Sequence, residues 1–291
     1  MNKIYSGIMG LVVGDALGVP VEFEERDTYH VTDMIGYGTY RQLPGTWSDD
    51  SSMALATAES IARLGRIDPA DIMQNFLNWY AKAEFTPYGA VFDCGMTTAR
   101  AILNFGRGVP LDECGGTDIR DNGNGALMRI LPVALVPHTA ADVRQVAGLT
   151  HNHLISHSAC AVYVEIAEML LAGDSKAAVR QYLKEKTVTP ELSRLPKLEE
   201  LRRDEIKSSG YVIDTLEAAL WCFLHTDGYR DCVLAAVNLG DDTDTVAAVV
   251  GGLAGVYYGC NGEKGIPSEW IEQIPRRDWI AEICAALAAV R

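Results

Sequence analysis

The chain has 291 residues, with 25 Lys+Arg against 39 Asp+Glu and a net charge of −14, so nucleic acid and anionic membranes, which select cationic faces, are poor partners for it. Hydrophobic residues make up 48% and charged residues 22%, ordinary values for a globular chain. No run reaches 18 apolar residues, which argues against a transmembrane helix, and the start lacks the apolar stretch and cleavage site of a signal peptide.

Helical periodicity dominates from the first residues. Ile4, Ile8, Leu11, Val12 and Ala16 recur three or four apart, as one helix face requires. Thr28–Val31 is a short strand candidate. Ser51–Leu64 is rich in Ala, Met and Leu, and Gly65 follows it as a stop signal. Asp68-Pro69 starts a helix that runs through Ile72, Phe76 and Trp79, with proline in its first turn. The pattern predicts further helices at Met96–Phe105, Gly125–Val136, Ala140–Leu149, Ile155–Leu171 and Ser175–Glu185. The polar stretch Glu185–Ser209 reads as an exposed insertion. Helices resume at Val212–Phe223, Cys232–Leu239, Thr243–Tyr258 and Trp279–Val290. Nothing alternates over several segments and no βαβ rhythm exists, which argues against a doubly wound sheet. The expectation is one all-α orthogonal helical domain over residues 1–291, with functional loops between helices. Seven widely spaced cysteines without a C-x-x-C pair argue against a disulfide framework or structural zinc, and fit a reducing cytoplasm.

The polar signals sit at helix beginnings. Gly45-Thr46-Trp47-Ser48-Asp49-Asp50-Ser51-Ser52 precedes one Ala-rich helix. Gly240-Asp241-Asp242-Thr243-Asp244-Thr245 precedes another, built of small residues from Val246 to Gly255. Asp, Ser and Thr cap free amides at such places. A cap needs one or two side chains, however, and here five aspartates lie in two short runs. Like charges packed together raise carboxylate pKa values and destabilise the fold unless a cation neutralises them. Carboxylate and hydroxyl oxygens are hard donors that suit Mg²⁺ or Mn²⁺. Asp121 to Arg129 carries two asparagines and two glycines into an apolar stretch, which suits either an ordinary turn or a phosphate against free amides. His151, His153 and His157 cluster without the glutamate of an H-E-x-x-H site. A ligand contact and a helix cap are both open to them.

Together these segments resemble the ADP-ribosylglycohydrolase family, of the dinitrogenase-reductase-activating type. Gly14-Asp15-Ala16-Leu17-Gly18-Val19-Pro20-Val21-Glu22 is similar to its opening block and Ser48-Asp49-Asp50 to its first metal motif. Phe92-Asp93-Cys94-Gly95-Met96-Thr97-Thr98, Gly123–Arg129, Thr150–His153 and Asp242–Thr245 with Gly251–Gly259 follow in the expected order. The resemblance implies an all-α fold and a centre of two Mg²⁺ or Mn²⁺ ions held by Ser48, Asp49, Asp50, Asp242, Asp244 and Thr245. It implies hydrolysis of the bond linking ADP-ribose to an acceptor, most often arginine, on a modified protein or a small molecule, with ADP-ribose as product. Serine- or O-acetyl-linked ADP-ribose, a small ADP-ribosyl compound, and a non-catalytic crystallin-like relative are the alternatives. By position, Asp93 or Glu22 is the catalytic acid or base, Gly123, Asn124, Gly125 and His151 meet the diphosphate side of the ligand, and Tyr211 is placed to stack on adenine or to pack in the core.

Overall fold

The computed structural model describes residues 3–186 and 189–290. The chain opens with α1 (Lys3–Gly18), α2 (Asp49–Leu64), α3 (Pro69–Lys82) and α4 (Met96–Gly106). Ser48 and Asp68 cap α2 and α3 with their side chains, and Gly65 closes α2 at φ 67°, a left-handed turn that glycine enters without strain. Next come α5 (Leu111–Cys114), α6 (Leu131–Ala134), α7 (Ala140–Gly148), α8 (Leu154–Ala172) and α9 (Lys176–Glu185). The last third holds α10 (Val212–His225), α11 (Tyr229–Val237), α12 (Thr243–Tyr258), α13 (Ser268–Ile271) and α14 (Arg277–Leu287). Isolated backbone bridges such as Gly123 with Tyr211 occur, but no sheet forms among the described residues. The all-α expectation is correct.

The centre is the antiparallel pair α1 and α12. It forms because both helices present glycine and alanine to each other. A Cβ on Gly14 would lie 2.1 Å from the Ala247 carbonyl oxygen, and one on Gly18 would lie 2.3 Å from the Asp244 Cα, so any larger residue would force the axes apart. The second contact fixes the end of α1 against the first turn of α12. Around this pair, α2 and α14 pack on α1, and α8, α10 and α11 pack on α12. Two segments, Lys3–Val21 and Leu154–Ala172, are long and apolar enough to cross a membrane, in contrast to the count of unbroken apolar runs. In the fold the first is packed inside, with 89% of its most apolar 18-residue window buried, and the second is a partly buried helix, at 56%.

Three expectations need correction. Thr28–Val31 is not a strand: Thr28 turns back onto the Glu25 carbonyl, and the Asn238 side chain satisfies both the amide and the carbonyl of Val31. Gly125–Val136 is not one helix. It is a 3₁₀ turn (Asn124–Ala126), irregular turns, and the short α6. Pro132 has no amide for a helical bond, and the buried Arg129 guanidinium takes the Gly125 carbonyl that the helix ladder would use. Glu185–Ser209 is not simply exposed. It forms 3₁₀ turns at Pro190–Leu192, Leu195–Glu200 and Arg203–Glu205, and buries Leu192, Leu195, Leu198 and Ile206. Thr187 and Val188 lie outside the described residues.

Candidate metal centre and ligand cleft

Two helix starts meet at the end of the α1–α12 pair. At the first, Ser48 caps α2, and Asp49 and Asp50 form its first turn, all buried. The Ser48 hydroxyl donates to Asp50 Oδ2 at 3.0 Å. Asp15, reaching across from α1, accepts the amides of Ser48 and Ser51, each at 2.9 Å. At the second start, Gly240 (φ 77°) and Asp241 (φ 63°) make a left-handed turn into α12. Asp242 accepts from the Asn124 side-chain amide at 2.9 Å, and Thr245 reaches Asp50 Oδ2 at 3.4 Å, which links the two starts. Backbone bonds from Phe23 to Asp241 (2.7 Å) and from Asp241 to Glu24 (3.0 Å) seat the segment after α1 beside this turn, and so bring in Glu22.

The result is a concentration of buried carboxylates with too few donors. Glu22 Oε2, Asp50 Oδ1, Asp242 Oδ1 and Asp244 Oδ2 are all buried without a hydrogen-bond partner. Single oxygens of Asp15, Asp50 and Asp244 lie within 4.8 Å of one another, as do those of Glu22, Asp93 and Asp244. Burial, then Asp93 and Asp50, pushes Asp49 well above the usual carboxylate range. Burial, then Asp15 and Asp242, does the same to Asp50, and burial with Glu22 and Asp50 does so to Asp244. Glu22 is pushed up to about 9 by burial and by Asp93, Asp93 to about 6 by burial and Asp242, and Asp242 is raised chiefly by burial. Orphaned, hard, negatively charged oxygens are the donor set that a divalent cation fits. The centre could therefore hold metal.

A cleft of about 260 Å³ opens beside it, lined by Glu22, Asp49, Asp93, Asp242 and Thr245 together with Gly123, Asn124, Gly125 and His151. The glycines let other groups come close: a Cβ on Gly125 would lie 2.7 Å from Thr98 Oγ1 and 2.8 Å from His151 Cε1. His151 is buried and held far below its usual pKa, at about 3, by burial and then by Arg129, so the ring is neutral. The Asn124 amide is already bonded to the Gly210 carbonyl (3.0 Å), and its side chain serves Thr215 and Asp242. Asp93 does not cap α4; Gly95 takes that position, and Asp93 itself sits at φ 50°, facing the cleft. Tyr211 is not a core residue. It is 37% exposed at the start of α10, next to the cleft-lining Gly210. His153 caps α8 through Nδ1 and His157 is half-buried behind it, so neither joins the carboxylates.

Four neighbours escaped the sequence reading. Asp15 was visible only as part of a glycine-rich block. Tyr40 places its hydroxyl beside Glu22 and Asp93, and burial with those two carboxylates raises its pKa strongly. Its turn also holds Glu22 through Thr39, whose hydroxyl donates to the Glu22 carbonyl at 2.7 Å. Exposed Phe23 and Arg120 line the cleft mouth. No periodicity marks a loop residue brought in by tertiary packing, so no local signal could have found Tyr40 or Arg120.

The model for the family described as ADP-ribosylglycohydrolase matches residues 1–291. The chain belongs to the ADP-ribosylglycohydrolase family. This family member is similar to the ADP-ribosylarginine hydrolase Tri1 of Serratia proteamaculans (strain 568), 36% identical with 99% of this chain and 79% of the relative covered. It is also similar to the ADP-ribosyl-[dinitrogen reductase] glycohydrolase of Rhodospirillum rubrum, at 33% identity over 94% of this chain and 90% of that one. Among solved structures, a chain of an "ADP-ribosylglycohydrolase-related protein complex" superposes with a TM-score of 0.85 and 33% identity, covering 99% of this ADP-ribosylglycohydrolase and 98% of the other.

Proposed function

We propose that this chain is a metal-dependent hydrolase that cleaves the glycosidic bond between ADP-ribose and an arginine side chain of a modified protein or small molecule. The observation that carries this is the convergence of four partnerless buried carboxylate oxygens beside a glycine-lined cleft. The name of the Serratia relative points to arginine as the acceptor, and that of the Rhodospirillum relative to an ADP-ribosylated protein. Ser48, Asp49, Asp50, Asp242, Asp244 and Thr245 would hold two Mg²⁺ or Mn²⁺ ions. When bound, such ions supply positive charge that orients sugar hydroxyls and acidifies a water.

The chain's own residues do the rest. Asp93 faces the cleft beside Asp49 and Asp242 and takes the proton from the attacking water. Glu22, clamped by Thr39 and near Tyr40, positions the distal ribose or supports the cations. Gly123 and Gly125 bring backbone against the diphosphate, which lets an acidic protein bind an anionic ligand. Neutral His151 adds a polar contact without a charge, Arg120 reaches the diphosphate from the mouth, and Tyr211 covers the adenine at the rim. The test is incubation with arginine-, serine- and O-acetyl-linked ADP-ribose, with and without Mg²⁺ or Mn²⁺. Metal-dependent release of ADP-ribose from the arginine conjugate is expected. Release of AMP or phosphate instead, or undiminished activity after exhaustive chelation, would refute the proposal.

A further inference from the structure

Asp15 is fully buried on α1 and has no task in the reaction described above. Its Oδ1 accepts the Ser48 amide at 2.9 Å. Its Oδ2 accepts the Ser51 amide at 2.9 Å and the Ser51 hydroxyl at 2.5 Å. Ser51 is the third residue of α2. At an ordinary helix start, the cap residue's own side chain accepts the amide of the second or third residue. This chain does so elsewhere: Thr139 accepts from Asp142 at 3.2 Å, and Ser175 from Ala178 at 3.3 Å, each the third residue of its helix. Ser48 accepts only the second residue's amide, Asp50, at 3.4 Å, and its hydroxyl donates to Asp50 Oδ2 at 3.0 Å; the third residue's amide, Ser51, goes to Asp15 instead.

We propose that Asp15 is a positioning residue that caps α2 from a different helix and thereby frees the Ser48 hydroxyl for a cation. This rests on the reading of the site as a metal centre. Proximity alone would also qualify Asp15 as a ligand, since it lies within 4.8 Å of Asp50 and Asp244 oxygens. Its hydrogen bonding says otherwise. Both Asp15 oxygens carry donors, whereas Asp50 Oδ1 and Asp244 Oδ2 carry none. Without Asp15, the Ser48 hydroxyl would fall back onto the Ser51 amide, and α2 would stay capped while the cation lost an oxygen.

A double-mutant cycle tests this, read as Mn²⁺ affinity and stoichiometry by titration calorimetry, with circular dichroism to confirm folding. Asp15→Asn should weaken Mn²⁺ binding by roughly tenfold or more in the wild-type background. In Ser48→Ala it should weaken binding by less than about twofold, with the number of bound ions unchanged throughout. Equal losses in both backgrounds would overturn the proposal, as would the loss of one bound ion on Asp15→Asn, which would make Asp15 a ligand. If the wild type binds no Mn²⁺ at all, the metal centre falls and this proposal with it. If Asp15→Asn does not fold, Ser51→Ala reads the same coupling, since it removes one of the three donors that hold Asp15. A loss of roughly threefold that vanishes on Ser48→Ala is expected, and wild-type affinity would overturn the proposal.

Discussion

Acidic and hydroxyl residues open helices at two kinds of place in this protein. At the surface, Asp68 starts α3 by accepting the Asp71 amide while pairing with Arg66. Thr139 and Asp142 form a reciprocal capping box at α7, and Asp118 with Asp121 forms another one turn before the glycine loop. The Asp118 carboxyl is held below the usual carboxylate range by the Arg120 amide and guanidinium. At the buried starts of α2 and α12, the same residue types sit well above that range, with oxygens that no donor reaches. A cap consumes its oxygens, and a cation site leaves them over. Residue type cannot separate the two, but the balance of donors and acceptors does.

The sharpest test of that contrast replaces one orphaned carboxylate. Asp50→Ala or Asp244→Ala should abolish turnover and metal binding with the helical circular-dichroism spectrum intact. In metal-free buffer either variant should melt at or above the wild-type temperature, because a repulsive buried charge is gone. A large drop in the metal-free melting temperature would show these carboxylates to be structural instead. Asp68→Ala is the counterpart at a surface start. It should leave turnover unchanged and cost about 1 kcal/mol, seen as a melting point lower by a few degrees.

The next effect separates chemistry from binding within the cleft. Asp93→Asn should lower kcat by roughly 10²–10⁴-fold. Calorimetric ADP-ribose affinity should change little, since the amide keeps the shape. Glu22→Gln should raise KM more than it lowers kcat. The reverse pattern would move proton transfer to Glu22. Because Gly95 rather than Asp93 caps α4, a silent Asp93→Asn would have no explanation in helix capping and would remove Asp93 from the chemistry outright.

How much of this was readable from sequence follows from the range of the forces involved. The helices were legible because periodicity and caps act over three or four residues: Ser48, Asp68, Thr139 and Ser175 each cap within their own turn. The two Asp runs were legible as an anomaly for the same reason. What failed depends on partners far along the chain. Asn238, more than two hundred residues away, satisfies Val31 and removes a strand. Arg129 and Pro132 break the Gly125–Val136 helix although its apolar pattern is sound. Asp15 looked like one letter of a motif because its donors, Ser48 and Ser51, lie on another helix.

The smallest expected effect asks whether an orphaned buried carboxylate behaves differently when it stands outside a cluster. Glu217 on α10 is buried, has a partnerless Oε1, and meets the half-exposed Arg194 at 3.4 Å. Burial raises its pKa to about 7, with Arg194 opposing. The folded pKa lies above the unfolded one, so the folded state holds the proton more tightly. The stability this contributes is complete below about pH 4.5 and lost as pH rises through about 7. Glu217→Gln cannot ionise. Its melting temperature relative to wild type should therefore climb between those limits and level off above them, with a gain on the order of 1 kcal/mol at pH 8 once the amide's own desolvation is counted. Mn²⁺ should raise the melting temperature of wild type and variant equally, because Glu217 has only Asp214 as a carboxylate neighbour and belongs to no group of three ligand oxygens among the described residues. If the difference between the two proteins is flat from pH 4.5 to 8, Glu217 is not the strained acid its burial implies. If Mn²⁺ closes that difference, an isolated orphan oxygen binds metal too, and the distinction between capping starts and cation-binding starts would then have to rest on something other than clustering.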